Sequence, residues 1–96
     1  MKATVYNLTS PRTGNPVPNQ FVVVENGIKY FKSYKTIIAR VKNGAITLDK
    51  NKWDFSKTTV KYLCEFLQSI NINCYGINDV REAIANNKLQ LANLNR

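Results

Sequence analysis

The chain has 96 residues, 44% hydrophobic and 21% charged, a balance that fits one small globular domain spanning 1–96 and not a disordered chain. Fourteen Lys and Arg against six Asp and Glu give a net charge of +8, which favours polyanionic partners. With no histidine and only Cys64 and Cys74, the chain lacks the four ligands of a structural zinc site and the common Ser-His and Cys-His catalytic pairings.

No apolar run approaches the ~20 residues of a transmembrane helix. The stretch Met1 to Tyr6 lacks the apolar core of a signal peptide, so a cytoplasmic location is expected. That compartment favours two reduced thiols, with Cys64 as a small core residue; a disulfide between Cys64 and Cys74 is the alternative. The many asparagines, with Lys and Ile, suggest an AT-rich genome.

The first strand is predicted over 2–8, around Val5 and Tyr6. Residues 9–19 hold three prolines and a glycine and predict a loop. Phe21–Glu25 and Ile28–Lys32 then flank Asn26-Gly27, and Ile37–Lys42 and Ala45–Asp49 flank Asn43-Gly44. Asn-Gly favours the type I′ turn, because both central positions need positive φ, and two such pairs predict an antiparallel meander.

Alternation assigns the faces. Ile37, Ala39, Val41, Ile46 and Leu48 share an apolar face; Thr36, Ile38, Arg40, Lys42 and Thr47 share the other. In the first hairpin Phe21, Val23, Ile28 and Tyr30 oppose Val22, Val24, Lys29 and Phe31, so that hairpin is apolar on both sides.

Ser56 is the predicted N-cap of a helix over 57–70, with Phe55 and Val60 as a hydrophobic staple. Val60, Leu63, Cys64, Leu67 and Ile70 recur at helical spacing, and Lys61 and Glu65 form a weak surface pair. Asn78 is the predicted cap of a second short helix ending near Asn87, and Leu89, Leu91 and Leu94 suggest a last strand. The fold class is therefore α+β: a meander of about five strands on one main helix, then a short helix and a possible final strand.

No catalytic constellation, metal-ligand set, cofactor motif or phosphate-binding glycine loop is present, so a non-enzymatic role is expected. Asp49 and Asp54, close in sequence, are read as turn and cap residues. A basic and aromatic surface is the stronger signal. Lys29, Lys32 and Lys35 flank Tyr30, Phe31 and Tyr34, while Arg40 and Lys42 share the polar sheet face. Cations beside exposed rings suit single-stranded nucleic acid, where charge tracks phosphates and rings stack on bases. Buried aromatics with lysines on the rim are the competing reading. Lys50, Lys52, Lys57 and Lys61 form a second basic cluster at the helix start, and Trp53 beside it is read as a packing residue before a partner anchor. The candidate binding residues are Lys29, Lys32, Tyr34, Lys35, Arg40, Lys42, Lys57 and Lys61.

The runs G-I-K-Y-F-K-S-Y-K-T-I-I-A and L-D-K-N-K-W-D-F-S-K-T-T-V-K-Y-L-C-E-F-L resemble small proteins encoded by bacteriophages and other mobile elements, over about residues 20–67. That family carries no assigned function. The stretch 78–96 departs from it and is expected to be specific to this chain. The resemblance implies a phage or prophage origin in a bacterial cell. Three roles follow: a nucleic-acid-binding accessory protein; an inhibitor of a host machine, such as an anti-CRISPR or other anti-defence protein; or a minor virion or cargo component. The partners expected are nucleic acid or a host nucleoprotein complex, and no membrane, with the protein a monomer or a small homo-oligomer.

Overall fold

Both Asn-Gly pairs take the conformation their chemistry favours, and they frame the sheet. In the computed structural model, which describes residues 3–10 and 12–95, Asn26 and Gly27 have φ of 54° and 78°, and Asn43 and Gly44 have 52° and 80°. Paired left-handed residues match the right-handed twist of the strands they join. The strands are β1 (Thr4–Thr9), β2 (Pro16–Glu25), β3 (Ile28–Ser33), β4 (Thr36–Lys42), β5 (Ala45–Asp49) and β6 (Gln90–Ala92). The helices are α1 (Lys57–Ser69) and α2 (Ile77–Ala85). All six strands form one sheet in chain order, antiparallel from β1 to β5, with β6 parallel to β5 after the two helices. The fold is α+β, as expected, and Leu91 lies in the last strand. Lys2, Pro11 and Arg96, which fall in the predicted first strand, the 9–19 loop and the C-terminal stretch, lie outside the described residues.

The proline-rich stretch is more ordered than its composition predicts. Pro16 to Asn19 extend β2: Pro16 pairs with Thr9, and the Asn7 side-chain amide donates to the Val17 carbonyl at 2.9 Å. Prolines are tolerated here because this overhang lies beyond Gln20 and Ser33, the last pair with β3, so the missing N–H groups break no bond on that side.

A bulge corrects the predicted face of β4. Phe31 pairs with Ala39 but Lys32 pairs with Ile37, leaving Ile38 as the extra residue. Ile38 therefore joins the core at 2% exposure, and Ile37 turns to the opposite face, the reverse of strict alternation. On the covered face, Val22, Phe31, Ala39 and Leu48 form one cross-strand row, and Val24, Lys29, Val41 and Ile46 form the next. The Phe31 ring stacks on Phe66 of α1 with centroids 5.5 Å apart, and Leu63, Leu67, Trp53, Val80 and Leu89 complete the core. Trp53 is thus a packing residue.

Ser56 caps α1 as predicted, its Oγ accepting from the Thr59 N–H at 3.1 Å. Phe55 does not form the staple: it is 73% exposed, while Val60 is buried. The cap of α2 is Gly76, not Asn78, and Asp79 Oδ2 accepts from the Tyr75 N–H at 2.8 Å. Both helices end alike. Asn71 N–H donates to the Gln68 carbonyl and Ile72 N–H to Leu67; Asn87 N–H donates to Ile84 and Lys88 N–H to Ala83. These are Schellman closures, which place a left-handed residue just past the helix, and Asn71 and Asn87 have φ of 68° and 61°. Asn19, at φ 65°, joins Asn26, Asn43, Asn71 and Asn87, so much of the asparagine bias has a conformational role.

Cys64 of α1 and Cys74 of the α1–α2 connector are joined as a disulfide, with Cα atoms 5.0 Å apart, in place of the expected reduced thiols. Cys64 is nonetheless a buried core residue. Among the described residues, no helix is long and apolar enough to cross a membrane.

Candidate functional site

The helices cover one face of the sheet, and the predicted basic and aromatic residues divide among the surfaces that remain. On the face opposite the helices, Val23, Tyr30, Arg40 and Thr47 form one cross-strand row, and Phe21, Lys32 and Ile37 form another. Tyr30 and Arg40 are direct neighbours across the β3–β4 ladder and both are half-buried. Arg40 Nε is buried with no hydrogen-bond partner among the described residues. Lys42 follows Arg40 by alternation, on the same face. Lys29 does not belong there: it shares the row of Val24, Val41 and Ile46 on the helix-covered side. Phe31 is fully buried, so of the two adjacent aromatics only Tyr30 belongs to this face.

The segment 93–95 borders the same face. Tyr30, Lys32, Ile37 and Arg40 line a hollow of about 610 Å³ with Asn93 and Leu94. The segment is held by side chains. Asp49 Oδ1 accepts from the Leu94 N–H at 2.7 Å, Asn95 Oδ1 accepts from the Ile37 N–H at 2.8 Å, and Asn95 Nδ2 donates to the Ile37 carbonyl at 2.7 Å. The Asn95 amide thus acts as one residue of an added strand, where β4 runs on past the end of β5.

Tyr34 and Lys35 form the exposed two-residue turn between β3 and β4, and Tyr34 N–H donates to the Asn19 carbonyl at 2.7 Å. The turn faces the start of α1 across a groove of about 520 Å³, whose lining includes Gln20, Tyr34, Thr36, Lys52, Phe55 and Tyr62. Lys52 Nζ lies 5.4 Å from the Phe55 ring centre on this wall, while Lys61, outside the groove lining, has its Nζ 5.2 Å from the Tyr62 ring centre. Sequence pattern alone misses Gln20 and Phe55: the first falls between the predicted 9–19 loop and the predicted strand Phe21–Glu25, and the second reads as a staple. Their exposure and partners appear only in three dimensions.

Lys57 and Lys61 are exposed on α1 beside a second hollow of about 590 Å³ that includes Arg12, Glu65 and Tyr75. Burial pushes the Glu65 carboxyl above its ordinary range, and the charge of Lys61 only partly offsets this. Its Oε1 is buried with no partner among the described residues. A carboxylate with a raised folded pKa stabilises least at neutral pH: its penalty is absent below the unfolded value and grows as pH rises through the folded one. Glu65→Gln is therefore expected to raise stability at pH 7 and leave it unchanged near pH 3. Urea denaturation at the two pH values checks this, and an equal effect at both would contradict it.

No group of three or more potential metal ligands occurs among the described residues. Asp54 is exposed, and Asp49 is committed to the turn and the tail, so the two do not act as a pair.

A family model matches residues 6–87. The chain belongs to DUF8033, a family of unknown function. No curated protein and no solved structure matches it. The DUF8033 match runs past 67 and through α2, so the stretch from Asn78 to Asn87 belongs to the family region and is not specific to this chain. Every residue lining the groove lies within the match; β6 and the 93–95 segment lie beyond it.

Proposed function

We propose that this DUF8033 chain is a non-enzymatic nucleic-acid-binding protein, an accessory of a phage or other mobile element that works in the cytoplasm of the bacterial host. The observation that carries the reading is the pairing of Tyr30 with Arg40 on the sheet face that the helices leave uncovered, with Lys32 beside them and Arg40 Nε unpartnered. A ring for stacking and a fork of donors for phosphate, side by side on a rigid sheet, suit a single strand. The net charge of +8 supplies long-range attraction.

The test is salt-dependent binding of a labelled single strand. Affinity is expected to fall steeply with ionic strength, and Lys32→Gln with Arg40→Gln is expected to reduce the slope by about 0.7 for each phosphate that is no longer neutralised. Tyr30→Ala is expected to weaken binding about tenfold with little change in that slope. Absence of binding by the wild-type chain at low salt would overturn the proposal.

A further inference from the structure

The groove beside the β3–β4 turn keeps a buried polar atom without a partner. Gln20 is 3% exposed and lines the groove, and its Oε1, shielded from solvent, accepts no hydrogen bond among the described residues. A buried acceptor left unpaired lowers stability, so an orphan in a concave site points to a donor supplied from outside.

A second strained feature lines the same groove. Tyr34 is 65% exposed and sits at φ 56°, a left-handed conformation that suits Gly or Asn. An aromatic ring held at this position contributes nothing to the core. Phe55, 73% exposed, also lines the groove, with Lys52 over its ring. At the start of α1 the Thr59 N–H is taken by Ser56 Oγ and the Val60 N–H by the Ser56 carbonyl. The Lys57 and Thr58 N–H groups have no acceptor within the helix, as at any helix start. Exposed rings, an orphan acceptor, a lysine and a helix N-terminus therefore meet in a groove of about 520 Å³, within the size range of small-ligand sites.

We propose that this groove takes one unpaired nucleotide. Its base stacks on the exposed rings of Tyr34 and Phe55 and donates an N–H from its pairing edge to Gln20 Oε1. Its phosphate lies toward Lys52 and the first turn of α1, where free N–H groups and the helix dipole favour an anion. The inference rests on the nucleic-acid reading above and gives it a base-binding point. β3 links the two surfaces: Tyr30 and Lys32 lie on the open face, and Tyr34 follows at the end of the strand on the groove. The shared chemistry is a nucleotide, free or within a strand.

The test measures binding of labelled oligothymidine, the same strand with abasic positions, and thymidine monophosphate. Wild type is compared with Tyr34→Gly, Gln20→Met and the Lys32→Gln/Arg40→Gln pair. Tyr34→Gly and Gln20→Met are each expected to weaken oligothymidine binding about tenfold. Their melting temperatures are expected to match or exceed wild type, since one relieves a left-handed tyrosine and the other removes an orphan acceptor. The abasic strand should bind wild type about as weakly as oligothymidine binds the groove variants. If oligothymidine binds, loses affinity in the sheet-face pair and ignores both groove variants, the groove proposal is overturned and the nucleic-acid reading stands. If only the monophosphate binds, and the groove variants abolish it, the groove is a free-nucleotide site and the strand reading falls. If neither the strands nor the monophosphate bind wild type, both readings fall.

Discussion

Phe31→Ala is expected to cost about 3–5 kcal/mol, the range for deleting a fully buried aromatic side chain. The ring is fully buried, stacks on Phe66 of α1, and lies in the cross-strand row of Val22, Ala39 and Leu48. It joins the middle of the sheet to the main helix, so its loss opens a cavity that neighbours on both sides must fill. Domains of this size are stabilised by only about 5–10 kcal/mol in total, so the variant should sit near the edge of folding. The comparison is Tyr30→Ala, one residue away and on the opposite face, expected to cost no more than about 1 kcal/mol. Denaturant midpoints for both variants, with Cys64 and Cys74 kept oxidised, read the difference directly. Similar losses for the two would show that the helices do not distinguish the faces of the sheet as described.

That contrast marks where sequence pattern works and where it fails. Alternation assigns Phe31 and Tyr30 to opposite faces of β3, and the Asn-Gly turns fix which residues face each other within the β2–β3 and β4–β5 hairpins, so the layout of each hairpin follows from local chemistry. Ser56 is equally legible, because a hydroxyl at a strand-to-helix junction has one strong use. The bulge at Ile38 is not legible. A run of Thr36-Ile37-Ile38-Ala39 fits either phase of the alternation, and the phase is settled by Ile38 packing into the core, a tertiary contact. The prolines of 16–19 mislead for a related reason: composition describes a loop, while the sheet offers an overhang where absent N–H groups cost nothing. The candidate site divides in the same way. The shared face of Arg40 and Lys42 follows from alternation along β4, but Lys32 joins them only through the bulge at Ile38. The convergence of Gln20, Tyr34 and Phe55 joins β2, a turn and the approach to α1, which no local pattern connects.

Asp49→Ala is expected to cost about 2–4 kcal/mol and to release the C-terminal segment, because one carboxylate holds several N–H groups. Asp49 is 1% exposed; its Oδ1 accepts from Leu94 and its Oδ2 from the Asn51 N–H at 3.2 Å. Burial raises its pKa, and the hydrogen bonds from Leu94, Asn51 and Asn95 together outweigh burial, leaving the carboxyl below its ordinary value. The sign follows: a depressed folded pKa contributes stability that is complete above the unfolded value, about 4, and is lost as pH falls through the folded value. Wild type should therefore lose stability below about pH 4, and Asp49→Ala should lose less over the same interval. Asn95→Ala separates the tail from the charge. It removes the paired bonds to Ile37, so Ile37 amide protection should fall in hydrogen exchange, while most of the acid sensitivity set by Asp49 remains. Asp49→Ala should lose both, since Leu94 and Asn95 are adjacent and the carboxylate positions them together. An Asp49→Ala chain that kept Ile37 protected and the full acid transition would show that the carboxylate neither positions the tail nor sets the acid sensitivity.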